Sequence, residues 1–354
     1  MAFTEQENND TIALCMIVKN ESKNILRTIE SVISLVDELV VVETGSNDGE
    51  SLELTKKYGA KVFKYDWDNN FSAARNVALE HVKSDWILFL DADEEMDPNT
   101  KANLHDAINF EQGVANFLYV VDNFGGIKCQ NAQPRLFRNH KNVRYTKPVA
   151  ENIYDSLNDL ITNQNRLVRV YPININHFSS EDNDEVMQKF TRNSELLNEA
   201  LLSEKSSDQD KIHYLMMLIN YFHKLNSSHE YVITLINQAF DLMNKNPDLQ
   251  TKRMIYETDY IHINLYVIDF LLKLKKLDSA KQIVIEAINI YPNSLNLLLY
   301  LFSIETAQGN KEQANTIIRH CKKLIDDNSY YKYEQLMFDY IKNNIENINN
   351  QLIN

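Results

Sequence analysis

What most constrains this chain is the order of its apolar runs. Residues 11–18 (TIALCMIV), 39–43 (LVVVE), 60–66 (AKVFKYD) and 86–91 (WILFLD) are short and rich in β-forming residues. Continuous apolar runs of this length read as strands buried on both faces. Amphipathic stretches lie between them. Ile25, Ile29, Val32, Ile33 and Val36 recur at helical spacing, while SLELTKKYG (51–59) and FSAARNVALEHVK (71–83) follow the second and third runs. Strand and helix alternating through short connections predict an α/β domain with a mainly parallel sheet. Such sheets bind ligands at the carboxyl ends of their strands. Here those ends are Val18-Lys19-Asn20, Glu43-Thr44-Gly45-Ser46, Asp66 to Asn70 and Asp91-Ala92-Asp93.

Residues 114–178 alternate less cleanly, with strands expected at VANFLYVVDNF, QPRLFRN and LVRVYPININHF. From about residue 181 strand signals vanish and EVMQKFTRNSELLNEALL, like everything after 210, reads as helix. LKKLDSAKQIVIEAINIYP and AQGNKEQANTIIRHCKKLI align with Ala280 over Ala314, 34 residues apart, and Pro292 falls where a repeat ends. That is the period of tetratricopeptide helix pairs; the plainer alternative is a generic helical bundle. The expected division is a flexible terminus (1–10), an α/β domain (11–180), a connecting helix (181–209) and an all-α tetratricopeptide-like helical-repeat domain (210–354).

A net charge of −14 argues against non-specific binding of nucleic acid or anionic lipid, both of which need clustered Lys and Arg. Cys15, Cys129 and Cys321 lie far apart and form no metal or disulfide framework. The polar start MAFTEQENND lacks the features of a signal peptide, and no apolar run reaches the ~18 residues that span a bilayer. A cytoplasmic setting with no transmembrane segment is expected.

The run DWILFLDADEEMD (85–97) drives a buried strand into five acids. Asp91 and Asp93 stand one residue apart where the chain leaves the sheet, and hard oxygen ligands of this kind suit magnesium or manganese. An ion held by few protein groups completes its shell with water and substrate phosphates, so a nucleoside diphosphate is its natural partner. Alone, the pair reads more readily as an acidic turn before the helix at NTKANLHDAI. It is not alone: TGSNDG closes another strand, and Arg75 stands in the helix after the third.

The ordered set LCMIVKNE (14–21), VVVETGSNDG (40–49), WDNNFSAARN (67–76) and DWILFLDADEE (85–95) resembles the N-terminal half of family 2 glycosyltransferases of the GT-A fold. QPRLFRNHKNVRYTKPVAENI (133–153) and ININHF (173–178) extend the match more loosely. Joined to tetratricopeptide-like helices, it is similar to a subgroup that includes the peptide S-glycosyltransferases of glycosylated bacteriocins. The resemblance implies a Rossmann-like GT-A domain that transfers a hexose, with inversion, from a UDP-sugar such as UDP-glucose or UDP-N-acetylglucosamine. Asp93 would bind the divalent metal, Asp91 the metal or the donor's ribose, and His177 the metal or the diphosphate. Arg75 matches an arginine near the donor, and Lys19 and Asn20 would frame the nucleotide pocket, although Asn20 could equally cap the next helix. Glu43 stands where the family has Asp, so either Glu43 or Asp48 would contact uracil or ribose.

An inverting transfer needs a base for the acceptor's proton. Glu151 of KPVAENI aligns with an acid that relatives present as His-Glu, here with Ala150 in place of the His; Glu94 and Glu95 are the alternatives. The acceptor expected is a Cys or Ser of a bacteriocin-type precursor peptide, against a saccharide or lipid-linked glycan. Helical repeats form concave surfaces suited to a peptide or to a second subunit in a homodimer. The departures at Glu43 and Ala150 also admit a non-catalytic interaction scaffold.

Overall fold

The computed structural model describes residues 10–48, 50–124, 127–178, 180, 182–224, 229–245, 264–265, 267–269, 271–272, 275–327 and 329. Its contacts divide the chain into two units, Met1–Leu196 and Leu197–Asn354. The division falls inside the segment expected to be a connecting helix.

The first unit is built on β1 (Ile12–Val18), whose neighbours are β2 (Glu38–Glu43) and β4 (Trp86–Phe89), both parallel to it. β3 (Lys61–Lys64) extends the parallel half beyond β2. Successive side chains of a strand point to opposite faces, and β1 feeds two cores accordingly. Ile12, Leu14 and Met16 pack with Ile25, Ile29 and Val32 of α1 (Ile25–Val32) on one face. Ala13 and Cys15 pack on the other, with Ala78 and Leu79 of α3 (Phe71–His81). Each Leu or Ile so enclosed contributes about 1.5–3 kcal/mol, and no polar position could be placed in either row at little cost. Cys15 is fully buried, a packing residue whose thiol burial pushes well above its ordinary range. Between β2 and β3 runs α2 (Ser51–Lys57).

The sheet continues past β4 with a change of direction. Its eight strands run β3-β2-β1-β4-β7-β6-β8-β5, where β5 is Glu94–Met96, β6 Gly113–Phe124, β7 Ile127–Arg138 and β8 Leu167–His177. β7 is antiparallel to β4 and β6, β8 is parallel to β6, and β5 closes the edge antiparallel to β8. The three long strands match the expected runs. α4 (Leu104–Ile108) falls within NTKANLHDAI, where a helix was expected, whereas the three-residue β5 and α5 (Tyr154–Gln164) do not come from that reading. α6 (Asn183–Leu202) follows the sheet.

In the second unit, α7 (Asp208–Lys224) and α8 (His229–Lys245) are followed, beyond residues outside the description, by helices Leu277–Ile290, Leu295–Ala307 and Lys311–Asp326. Leu277 and Lys311 open helices 34 residues apart, the expected repeat spacing. Ala280 and Ala314, the aligned pair, are both fully buried, because only a small side chain fits where helices of a pair approach. No described helix is long and apolar enough to cross a membrane.

Candidate functional site

The carboxyl end of β4 is where the chain's charges converge. After Phe89 the chain enters a turn pinned by the Thr28 hydroxyl of α1, which donates to the Ala92 carbonyl at 2.7 Å. Asp91 and Asp93 leave this turn toward different partners.

Asp91 is gripped by two guanidiniums. Arg75 Nη2 donates to its Oδ1 at 2.9 Å and Arg135 Nη2 to its Oδ2 at 3.2 Å. Burial opposes the charge, yet the two arginines hold the Asp91 carboxyl well below the usual range. Arg135 also donates to Glu94 Oε1 at 2.6 Å, and Glu94 Oε2 accepts from the Asp91 N–H at 2.9 Å. Glu94 is 2% exposed; burial, opposed by Arg135, pushes its carboxyl up to about 7. Arg75 reaches Glu151 as well, Nε to Oε1 at 2.7 Å, while its guanidinium lies over Phe89 at 4.6 Å. Two arginines and three carboxylates therefore form one enclosed network, in which Arg75 Nη1 and Arg135 Nε are buried without a protein partner.

Asp93 lies on another line of contacts. β5 sets Glu94 opposite His177 of β8, and the Phe178 N–H donates to the Asp93 carbonyl at 2.9 Å. His177 Nε2 is thereby 3.6 Å from Asp93 Oδ2. β6 sets Asp122 opposite the same histidine, and Nδ1 meets Asp122 Oδ1 at 2.5 Å. Asp122 first, and Asp93 second, raise the imidazole to about 10, so it is protonated at neutral pH. A carboxylate on the far nitrogen is the arrangement that orients a metal-ligating histidine, although a ligating Nε2 would have to give up its proton.

The other expected residues are placed as follows. Glu43 is 6% exposed at the end of β2 and accepts from the Gly45 and Ser46 N–H groups, the former at 2.6 Å. Gly45 adopts φ +97°, which lets the turn fold its amides onto that carboxylate. Asp48 accepts from the Ser22 and Ser51 N–H groups, both at 3.3 Å, and from the Ser51 hydroxyl; Ser51 chiefly holds its carboxyl below the ordinary range. Both acids thus fasten their own loop. Asn20, at φ +56°, accepts from the Asn47 N–H at 2.8 Å rather than capping a helix, and Lys19 beside it is exposed. Glu151 follows Ala150, itself at φ +51°. Its loop is held by Ser72 Oγ to the Lys147 carbonyl at 2.5 Å and by the Phe71 N–H to the Pro148 carbonyl at 2.8 Å. Glu95 remains half-buried in β5.

The structure therefore joins Arg75, Asp91 and Glu151 in one network and Asp93 with His177 in another. The expectation that Asp91 and Asp93 share one ion differs from this arrangement, because arginines take both Asp91 oxygens. Among the described residues no three His, Cys, Asp or Glu side chains are grouped to hold a metal. Arg135 and Asp122 were not foreseen. The signal for Arg135 was a charged residue inside the otherwise apolar run PRLF; for Asp122, nothing short of the strand register could have found it.

Residues 13–179 match the Glycosyl transferase family 2 model. The chain is 37% identical over 146 residues to a TPR repeat-containing protein of Synechococcus elongatus, covering 41% of this chain and 36% of the relative. It is 26% identical over 284 residues to the SPbeta prophage-derived glycosyltransferase SunS of Bacillus subtilis, covering 73% of this chain and 66% of that one. The chain therefore spans about a third and just under two thirds of these relatives. Staphylococcus aureus TarS 1-349 in complex with UDP-GlcNAc overlays at a TM-score of 0.43 with 14% identity, covering 91% of this chain and 93% of that one, a likeness too slight to bear on function. By the family match, residues 13–179 constitute a glycosyl transferase family 2 domain.

Proposed function

We propose that this chain is an inverting glycosyltransferase that moves a hexose from a UDP-sugar to an acceptor. The observation that carries the reading is the pairing of Asp93 with His177 at the carboxyl edge of the family 2 domain. A carboxylate oxygen and an imidazole nitrogen, with a second carboxylate behind the imidazole, are a donor set that fits manganese or magnesium when phosphate and water complete the shell. Asp93 and His177 would hold the ion; when bound, it supplies neutralising charge to the departing diphosphate.

The chain's own groups do the rest. Asp91, fixed in place by Arg75 and Arg135, presents an oriented acceptor for a donor ribose hydroxyl. Lys19 and Asn20 border the same rim, and Glu43 and Asp48 shape it by holding the β2 loop. Glu151, steered by Arg75, is the group assigned to receive the acceptor's proton. Because Arg75 bridges Asp91 and Glu151, one side chain sets the spacing between the donor and acceptor sides.

The acceptor assigned is a Cys or Ser of a small precursor peptide, supported by the joining of this domain to helical repeats. Incubating the chain with radiolabelled UDP-glucose or UDP-N-acetylglucosamine, manganese and candidate peptides tests it. Label transferred to glycan and to no peptide would end the peptide assignment, and absence of manganese-dependent UDP binding by calorimetry would end the glycosyltransferase reading. The helical unit as a dimer surface is tested by the chain's mass in solution.

A further inference from the structure

Lys189 stands in α6, beyond residue 179 where the family match ends. Its Nζ lies 3.7 Å from Asp93 Oδ2, the oxygen that His177 Nε2 approaches at 3.6 Å. Glu21, at the rim after β1, also lies within electrostatic reach of Lys189 and of Asp93. The lysine side chain is 40% exposed and the separation exceeds hydrogen-bonding distance, so the ammonium is not locked onto Asp93. It is a cation on a flexible four-carbon stem beside the carboxylate where the diphosphate is expected.

We infer that Lys189 is a phosphate-contacting residue of the donor site, contributed by the first helix after the sheet. The inference rests on the proposed nucleoside-diphosphate donor. A divalent ion held by Asp93 would repel the ammonium from that carboxylate. A diphosphate at that ion would then offer the ammonium anionic oxygens in addition to those of Glu21, and a Lys ammonium binds phosphate as a point charge. A neutral side chain at 189 would leave the ion to carry the diphosphate's charge alone.

The test uses the full chain. Calorimetry with UDP at fixed manganese compares the natural chain with Lys189→Met and Lys189→Arg, and electron paramagnetic resonance follows manganese binding without nucleotide. Lys189→Met is expected to weaken UDP binding roughly tenfold, the loss of one charge-assisted contact. Lys189→Arg is expected to recover most of that loss, since charge rather than shape makes the contact. Manganese binding without nucleotide is expected to be unchanged or tighter in Lys189→Met, because a competing cation has left Asp93. UDP binding by Lys189→Met at the natural affinity would overturn the inference, as would weaker manganese binding that accounts for the whole UDP loss. Failure of the natural chain itself to bind UDP with manganese would instead overturn the donor reading beneath it.

Discussion

Replacing Arg75 with Met tests whether one buried cation organises the site. Arg75 is 7% exposed and forms ion pairs of 2.9 Å with Asp91 and 2.7 Å with Glu151. At such distances each pair attracts by about 6 kcal/mol at an effective dielectric near 20, most of it offset by desolvating the charges. The two carboxylates do not lose equally. Asp91 keeps Arg135 and is 32% exposed on its side chain, whereas Glu151 is 13% exposed and has no other ion pair among those described. The expected cost is therefore near the lower end of the range for an orphaned buried charge, about 3 kcal/mol. Adding Glu151→Gln to Arg75→Met should restore about half of it, since no buried anion is then left uncompensated. The assay is urea denaturation followed by tryptophan fluorescence. The chain has two tryptophans, Trp67 and Trp86, both in the first unit, so the signal reports that unit alone. A cost below about 1 kcal/mol, or a double variant no more stable than Arg75→Met, would refute the argument that Arg75 neutralises Glu151.

Further outcomes follow from other contacts. Asp93→Ala should abolish manganese-dependent sugar transfer while leaving the urea midpoint of the first unit nearly unchanged; full transfer with metal still required would remove Asp93 from the site. Glu38 accepts from Lys61 Nζ at 2.6 Å, from the Lys83 and Ser84 N–H groups at 2.9 and 3.0 Å, and from the Ser84 hydroxyl at 2.9 Å. Although burial opposes it, these donors hold its carboxyl below the ordinary range. Its contribution is therefore present above the ordinary carboxylate pKa of about 4.3 and is lost as pH falls through the lower folded value. Glu38→Gln should cost about 1–2 kcal/mol at pH 7 and flatten the acid limb of the stability curve, as read from urea midpoints between pH 6 and 3. Ala280→Leu, at a fully buried helix contact, should destabilise the helical unit by about 1–3 kcal/mol through overpacking. Thermal melting followed by circular dichroism would show this while the tryptophan signal stays fixed.

The parts of the fold legible in the sequence were those with a strong period. β1, β2 and β4 announce themselves because burial on both faces demands unbroken apolar runs, and the Ala280 and Ala314 pair shows its repeat because helix contacts select small residues at fixed intervals. β5 was illegible because three residues carry no period, and its Glu94 is buried nearly as deeply as Met96. The site divided along the same line. Residues at strand ends were found from position alone, but their partners were not: the Asp122–His177 and Arg135–Glu94 contacts join residues 55 and 41 positions apart. Which acid faces which base is decided by register, and register leaves no local trace in composition. Asp91 and Asp93 were expected at the nucleotide site and Glu94 and Glu95 as alternatives on the acceptor side; the fold groups them otherwise, giving Asp91 and Glu94 to arginines and Asp93 to a histidine.

β5 is the terminal strand of the sheet, three residues long and paired within the sheet with β8 alone. Edge strands this short open by local fluctuations that leave the central strands intact. Were β5 to detach, Asp93 would leave His177 and the site would come apart, the burial of Glu94 and Met96 setting the cost of that opening. Occupancy of the site and closure of this edge are thus two faces of one equilibrium: a ligand that needs both side chains must slow amide hydrogen exchange along Glu94–Met96 by the ratio of its concentration to its dissociation constant.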